Sequence, residues 1–162
     1  MNDVLRPRRS TGAGAPLSYF DGLMEVDRNG MEVLDREECL ALLAQVPVAR
    51  IGITIDALPV ILPVNFVVAG DAIVVRSAEG TKLTAALNAA VVALEADQYD
   101  PVSHAGWSVL VCGSSRVLTD PAEITPASRL PLRAWANDGA DRFISIGTDL
   151  VSGRRTAATP LR

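Results

Sequence analysis

Pro63-Val64-Asn65-Phe66, followed after a short turn by Val75-Arg76-Ser77-Ala78-Glu79-Gly80-Thr81-Lys82-Leu83, decides the reading of this chain. The first stretch is a strand, the second a returning strand that ends in Arg-Ser and runs into a helix whose first turn holds Gly-Thr-Lys. Free backbone N–H groups, a hydroxyl and an ammonium converge at such a junction, and that donor set suits a phosphate. A cation at a helix N-terminus opposes the macrodipole by about 0.3–1 kcal/mol, so an anion beside Lys82 would account for its placement; the plainer alternative is a solvated helix residue. The run is no Walker loop, because the upstream glycine and the Lys-Ser/Thr order are missing. A phosphate held on a β scaffold points to a nucleotide-like cofactor.

Outward from this core, alternation and hairpins dominate. Arg50-Ile51-Gly52-Ile53-Thr54-Ile55-Asp56 puts three isoleucines on one face and predicts a half-buried strand. Asp56-Ala57-Leu58-Pro59 turns the chain into a strand from Val60 to Val68. Pro63 interrupts that strand, cannot donate to a ladder, and so marks an edge, a bulge or a backbone turned toward something else. Ala69-Gly70-Asp71 closes a hairpin into Ala72 to Ser77, and a helix is expected from Glu79 to Asn88 with Leu83 and Leu87 at i, i+4. Further strands are expected at Val91 to Asp97, Trp107 to Thr119, Arg142 to Ile146 and Val151 to Arg155. Gln98-Tyr99-Asp100-Pro101 reads as a turn, and Gly113-Ser114-Ser115 as a bulge or bend.

Two helix starts carry caps: Asp35 with Glu38 three residues on, and Asp120 followed by Pro121. Pro47 ends the first of these helices. Short strands joined mostly by hairpins, with helices inserted rather than alternating, favour a mainly β antiparallel barrel over a doubly wound sheet. Residues 1–30 carry no periodicity and read as a flexible arm, leaving 31–162 as one domain.

Composition narrows the function classes. The 162 residues are enough for one full core; 49% are hydrophobic, 21% charged and only 4% aromatic, so that core is Val, Ile, Leu and Ala. A formal charge of −4 and a pI near 4.9 argue against a nucleic-acid surface, which needs a Lys/Arg excess. No apolar run reaches the ~18 residues of a membrane span, and a cytoplasmic protein is expected. Cys39 and Cys112 lie in apolar segments away from metal-ligand spacing and read as buried thiols; no metal site is expected. The chain's only histidine, His104, sits in a polar loop and reads as exposed, and no Ser-centred elbow accompanies it, so hydrolytic chemistry falls away.

The order of motifs carries a resemblance. A helix, then Val48-Ala49-Arg50-Ile51-Gly52-Ile53-Thr54, Leu58 to Phe66, Val75 to Leu83, and Gly106-Trp107-Ser108-Val109-Leu110-Val111-Cys112-Gly113-Ser114-Ser115-Arg116-Val117-Leu118 resembles the pyridoxamine 5′-phosphate oxidase-like, FMN-binding split-barrel superfamily, and within it the short members that include nitroimidazole-resistance proteins. The resemblance implies a six-stranded antiparallel split barrel and a homodimer with one FMN in each of two interface clefts. It implies that the phosphate is held by Arg76, Ser77, Thr81 and Lys82, that the isoalloxazine lies along Pro63, Val64, Asn65 and Phe66, and that Trp107 and Ser108 lie near the ring. The implied activity is flavin-dependent oxidoreduction of a small molecule. Departures are specific: the longer oxidases have Arg-Lys where Thr81-Lys82 stands and Gln at about Ser108, and Arg154-Arg155 is a weak match to their basic C-terminal site. A deazaflavin-dependent reductase, or a flavin- or haem-binding protein without turnover, are the alternatives within reach of the same residues.

Overall fold

The computed structural model describes residues 31–78, 84, 87–132 and 141–156. Its elements are β1 (Glu32–Leu34), α1 (Arg36–Leu43), β2 (Val48–Ile55), β3 (Leu58–Ala69), β4 (Ala72–Ala78), β5 (Ala90–Tyr99), β6 (Gly106–Val117), α2 (Pro121–Ala127), β7 (Asp141–Gly147) and β8 (Leu150–Thr156). All strand pairings are antiparallel, in the order β1-β8-β6-β5-β2-β3-β4-β7, and a further β6–β7 pairing joins the ends of the last six into a closed ring. The result is a six-stranded antiparallel barrel with β8 and β1 appended beside β6.

β6 makes this closure possible by changing partner along one edge. Gly106 to Cys112 pair with β8, whereas Ser115 to Val117 pair with β7. The change falls on Gly113-Ser114-Ser115, where the sequence predicts a bend. A Cβ on Gly113 would stand 1.7 Å from the Gly147 carbonyl oxygen, so only glycine admits this approach of two backbones. Asp149 accepts from the Ser114 N–H and hydroxyl, both at 3.1 Å, and the Ser115 hydroxyl donates to the carbonyls of Leu87 (2.7 Å) and Ala90 (3.1 Å).

The barrel interior is filled by alternate residues, among them Ile51, Ile53, Phe66, Ile73, Val75, Leu94, Val109, Val111, Ile144 and Ile146. Each such side chain removed from water contributes about 1.5–3 kcal/mol. α1 adds Cys39 and Leu43 to the same core, and its capping box is complete: the Glu38 N–H donates to Asp35 Oδ1 at 2.8 Å and the Asp35 N–H to Glu38 Oε2 at 3.1 Å. A second, smaller core lies on the opposite side of β4 and β7, where Val74 and Phe143 meet Leu118, Ala127 and Leu132 of the α2 region.

Several boundaries move. The β2–β3 turn needs only Asp56 and Ala57, at φ 50° and 64°, so Leu58 and Pro59 already belong to β3. Gln98 and Tyr99 stay in β5 because they pair with Trp107 and Gly106, and the turn waits for Pro101. β6 stops at Val117, where its pairing with Ile144 ends, and β1, too short to show periodicity, is an additional strand. Of the expected helix from Glu79 to Asn88, only Thr84 and 87–88 lie among the described residues; Thr84 is helical and Leu87 and Asn88 form a turn. Among the described residues, no helix is long and apolar enough to cross a membrane.

Candidate functional site

The β3–β4 ladder is short. It joins Phe66 to Val75, Val67 to Val74, Val68 to Ile73 and Ala69 to Ala72, and goes no further. Extended by one step, the register would set Asn65 opposite Arg76; instead β3 continues along β2, and β4 continues along β7 as far as Ala78 opposite Asp141. The two strands part, and the walls of the fork are Pro63 to Asn65 on one side and Arg76 to Ala78 on the other. Pro63 opposite Arg50 therefore sits where β3 is paired on the β2 side alone, an edge in the sense its missing N–H requires.

Strand alternation sorts the predicted residues by face. Val64 and Phe66 are buried in the barrel core, so only their backbone is available to a ligand at the fork. Asn65 is half-buried and Pro63 exposed on the outer face. Arg76 shares its face with Val74, where its Nη1 donates to the Leu132 carbonyl at 3.0 Å, while buried Ser77 shares the barrel face of Val75 and its Oγ accepts from Thr84 Oγ1 at 3.2 Å. Arg76 and Ser77 thus flank the fork from opposite faces of β4. Thr81 and Lys82 lie outside the described residues.

Trp107 and Ser108 also alternate. Trp107 packs on the core side, its indole N–H donating to Gln98 Oε1 at 3.3 Å, and Ser108 is exposed on the outer face between Asp97 and Arg154. Arg155 is committed to Glu32 and Glu38 at 3.4 and 3.6 Å, a structural tie between β8, β1 and α1.

Charge on the outer face is also paired: Arg50 bridges Glu95 and Asp97, whose carboxylates raise the guanidinium's pKa, led by the Asp97 hydrogen bond. Burial pushes the thiols of Cys39 and Cys112 up, away from the thiolate form. Among the described residues no three His, Cys, Asp or Glu side chains gather as metal ligands.

Sequence reasoning passed over one polar pair. Tyr99 OH and His104 Nδ1 lie 2.5 Å apart at the β5–β6 turn, five residues from each other. The signal was there in principle: an aromatic closing a strand, and the single histidine just before the next strand. Neither spacing reveals that the turn folds one onto the other.

A guanidinium, an amide and a hydroxyl border the open strand edge of this six-stranded barrel, with Arg76 and Ser77 on opposite faces of β4. Comparison with known proteins agrees on the kind of protein. The profile of the pyridoxamine 5′-phosphate oxidase family matches residues 35–155. The chain belongs to that family. An uncharacterized protein of Mycobacterium tuberculosis is 37% identical over 130 residues, covering 77% of this chain and 85% of its own. Among solved structures, the FAD binding protein from Mycobacterium smegmatis is 36% identical with a TM-score of 0.66, covering 76% of this chain and 95% of that one. A Bacteroides thetaiotaomicron protein assigned to 5-nitroimidazole antibiotic resistance, 17% identical with a TM-score of 0.63 over 78% of this chain and 89% of its own, shares the fold. The family and the split-barrel architecture agree with the resemblance read from the motifs.

Proposed function

We propose that this protein is a cytoplasmic flavin-dependent oxidoreductase that holds its flavin nucleotide at the β3–β4 fork and acts on a small molecule. The observation that carries this reading is the parting of the two strands after Phe66 and Val75, which opens an edge between the segment that holds Asn65 and the segment that holds Arg76 and Ser77. FMN is the cofactor the motif resemblance implies, and the FAD binding relative supports the larger nucleotide equally. In either case the flavin supplies the redox chemistry when bound. The protein supplies charge for the phosphate from Arg76 and Lys82, backbone hydrogen bonds from Pro63 to Asn65, and shelter from water.

We also propose a homodimer across the outer face of β3, β2, β5 and β6. One transverse row there is Ile61–Gly52–Ala93–Cys112–Leu150, with Ile61 71% exposed beside three small residues. A two-fold axis along the strands between β2 and β5 lays the Ile61 of each copy into the trough of the other, an isologous arrangement.

The test of the cofactor site is differential. A charge-assisted hydrogen bond contributes about 1.5–3 kcal/mol, so Lys82→Ala weakens FMN or FAD by roughly ten- to a hundredfold while riboflavin, without phosphate, binds variant and wild type alike. Equal loss for riboflavin and FMN places the phosphate elsewhere. The visible spectrum of the loaded protein separates flavin from deazaflavin and haem, and reduction by nicotinamide nucleotides separates an enzyme from a binder.

A further inference from the structure

β3 has an open edge and no charge to defend it. None of its 12 residues, Leu58–Ala69, is charged, and Val60, Ile61, Val64, Val67 and Val68 give it a high strand propensity. Every residue from Leu58 to Asn65 pairs with β2; on the other side the ladder with β4 starts only at Phe66, and among the described residues no other strand lies along 58–65. Leu58 and Ile61 are largely exposed there. An uncharged strand of this kind with a free edge is a template for a second strand, and such edges are ordinarily blunted by brevity or charge. β1, at the end of the sheet order, has both, with 3 residues that include Glu32. β3 has neither.

Its two prolines stand where that protection is missing. The Phe66 N–H donates to the Pro47 carbonyl at 3.4 Å, on the β2 side. Main-chain groups alternate along a strand, so Val60, Leu62 and Val64 face β2 as well, while Pro59, Ile61, Pro63 and Asn65 face the open edge. Both prolines of the strand therefore fall on that edge, opposite Thr54 and Arg50, and they thin its row of N–H donors without removing a bond from the β2 ladder. Continued past Phe66 and Val75, the β4 ladder would also set Pro63 against Ala78 at a position that calls for the missing proline N–H. We propose that Pro59 and Pro63 keep the open edge of β3, and the fork it leads into, free of an added strand, above all the β3 of a second copy. The inference holds whether or not the fork takes a flavin. Its consequence is the class of ligand: an extended peptide, which needs a regular series of main-chain donors and acceptors, is excluded, and a compact small molecule, which forms no ladder, is admitted.

The spacing of the prolines defeats self-pairing in particular. An antiparallel two-fold centred on Ile61 sets Pro59 against the partner's Pro63 and Pro63 against the partner's Pro59, and a two-fold centred on Pro63 sets it against the partner's Pro63. In each case a pair that would exchange two hydrogen bonds exchanges none.

The test replaces both prolines with threonine, a good strand former. The double variant Pro59→Thr, Pro63→Thr is expected to keep the near-ultraviolet spectrum of the wild type and, as its concentration rises, to sediment as species heavier than the wild type's own. A fluorescent peptide spanning residues 58–65 and carrying the same two substitutions is expected to bind the variant about tenfold more tightly than it binds the wild type, or better. Amide exchange in the wild type gives a reading that needs no variant. The Ile61 N–H, on the open edge, is expected to exchange about a hundredfold faster than those of Val60 and Leu62, which face β2. Equal peptide affinity for the two proteins, a folded variant that sediments as the wild type does, or protection at Ile61 equal to that of its neighbours each overturns the proposal. If the double variant does not fold, the wild-type exchange rates decide alone. Failure of the wild type to bind any flavin overturns the functional reading and leaves this one standing.

Discussion

Gly113 shows how much one residue decides. Its α-carbon lies against the Gly147 backbone, and the position a Cβ would take is 1.7 Å from that carbonyl oxygen and 2.5 Å from its carbon. The obstacle is main chain, which cannot rotate away as a side chain can. Gly113→Ala should therefore force β6 and β7 apart and destabilise the fold by about 3 kcal/mol or more, measured by urea unfolding. A change under 1 kcal/mol would show that the closure is looser than this contact. Gly113 was legible in the sequence as a bend, from its place before two serines. That the bend is where β6 changes partner was not, because the carbonyl it touches comes from residue 147. Arg76 and Ser77 make the same point at the candidate site: adjacency suggested a joint grip on one phosphate, whereas strand alternation sends their side chains to opposite faces, one to the Leu132 carbonyl and the other to Thr84.

At the scale of elements, local chemistry was read well and ladder extents poorly. The Asp35–Glu38 box and the Asp120 cap, whose Oδ1 accepts from the Ala122 N–H at 2.8 Å, need only contacts within four residues. Strand ends depend on a partner far along the chain, so β5 outran its predicted turn by pairing Tyr99 with Gly106. The turn between β5 and β6 also makes a prediction in pH. The Ser103 hydroxyl first, then the Val102 N–H, hold the Asp100 carboxyl below the usual carboxylate range. Its folded-state pKa is thus lower than that of the unfolded chain, which takes up the proton first. The stabilisation is complete above the ordinary aspartate range and is lost as pH falls through the folded-state value. Thermal melts of wild type and Asp100→Asn should accordingly differ at neutral pH and converge in acid. Parallel curves across the whole range would remove Asp100 from the turn's stability.

For the whole molecule, the outer face is the feature that the described residues leave unexplained within one chain. Ile61 and Val91, 71% and 76% exposed, stand on a sheet whose neighbouring outward positions are Gly52, Ala93 and Cys112. Light scattering of the wild type is expected to give about twice the 17.1 kDa chain mass, and Ile61→Asp to give monomers that bind flavin weakly. A wild-type monomer that binds flavin at full affinity would refute the interface.

Composition, alternation and turn residues determined by themselves that this chain is a mainly β domain with capped helices, and the order of its motifs pointed to the family, because period, caps and breakers act between residues close in sequence. Closure of six strands through the split edge of β6, the fork between Asn65 and Arg76, and the meeting of Tyr99 with His104 were decided only in three dimensions. In each, the deciding contact is set by where a ladder stops or how a turn folds, and pairing energy between strands distant in sequence is shared over many residues, none of which signals the register alone.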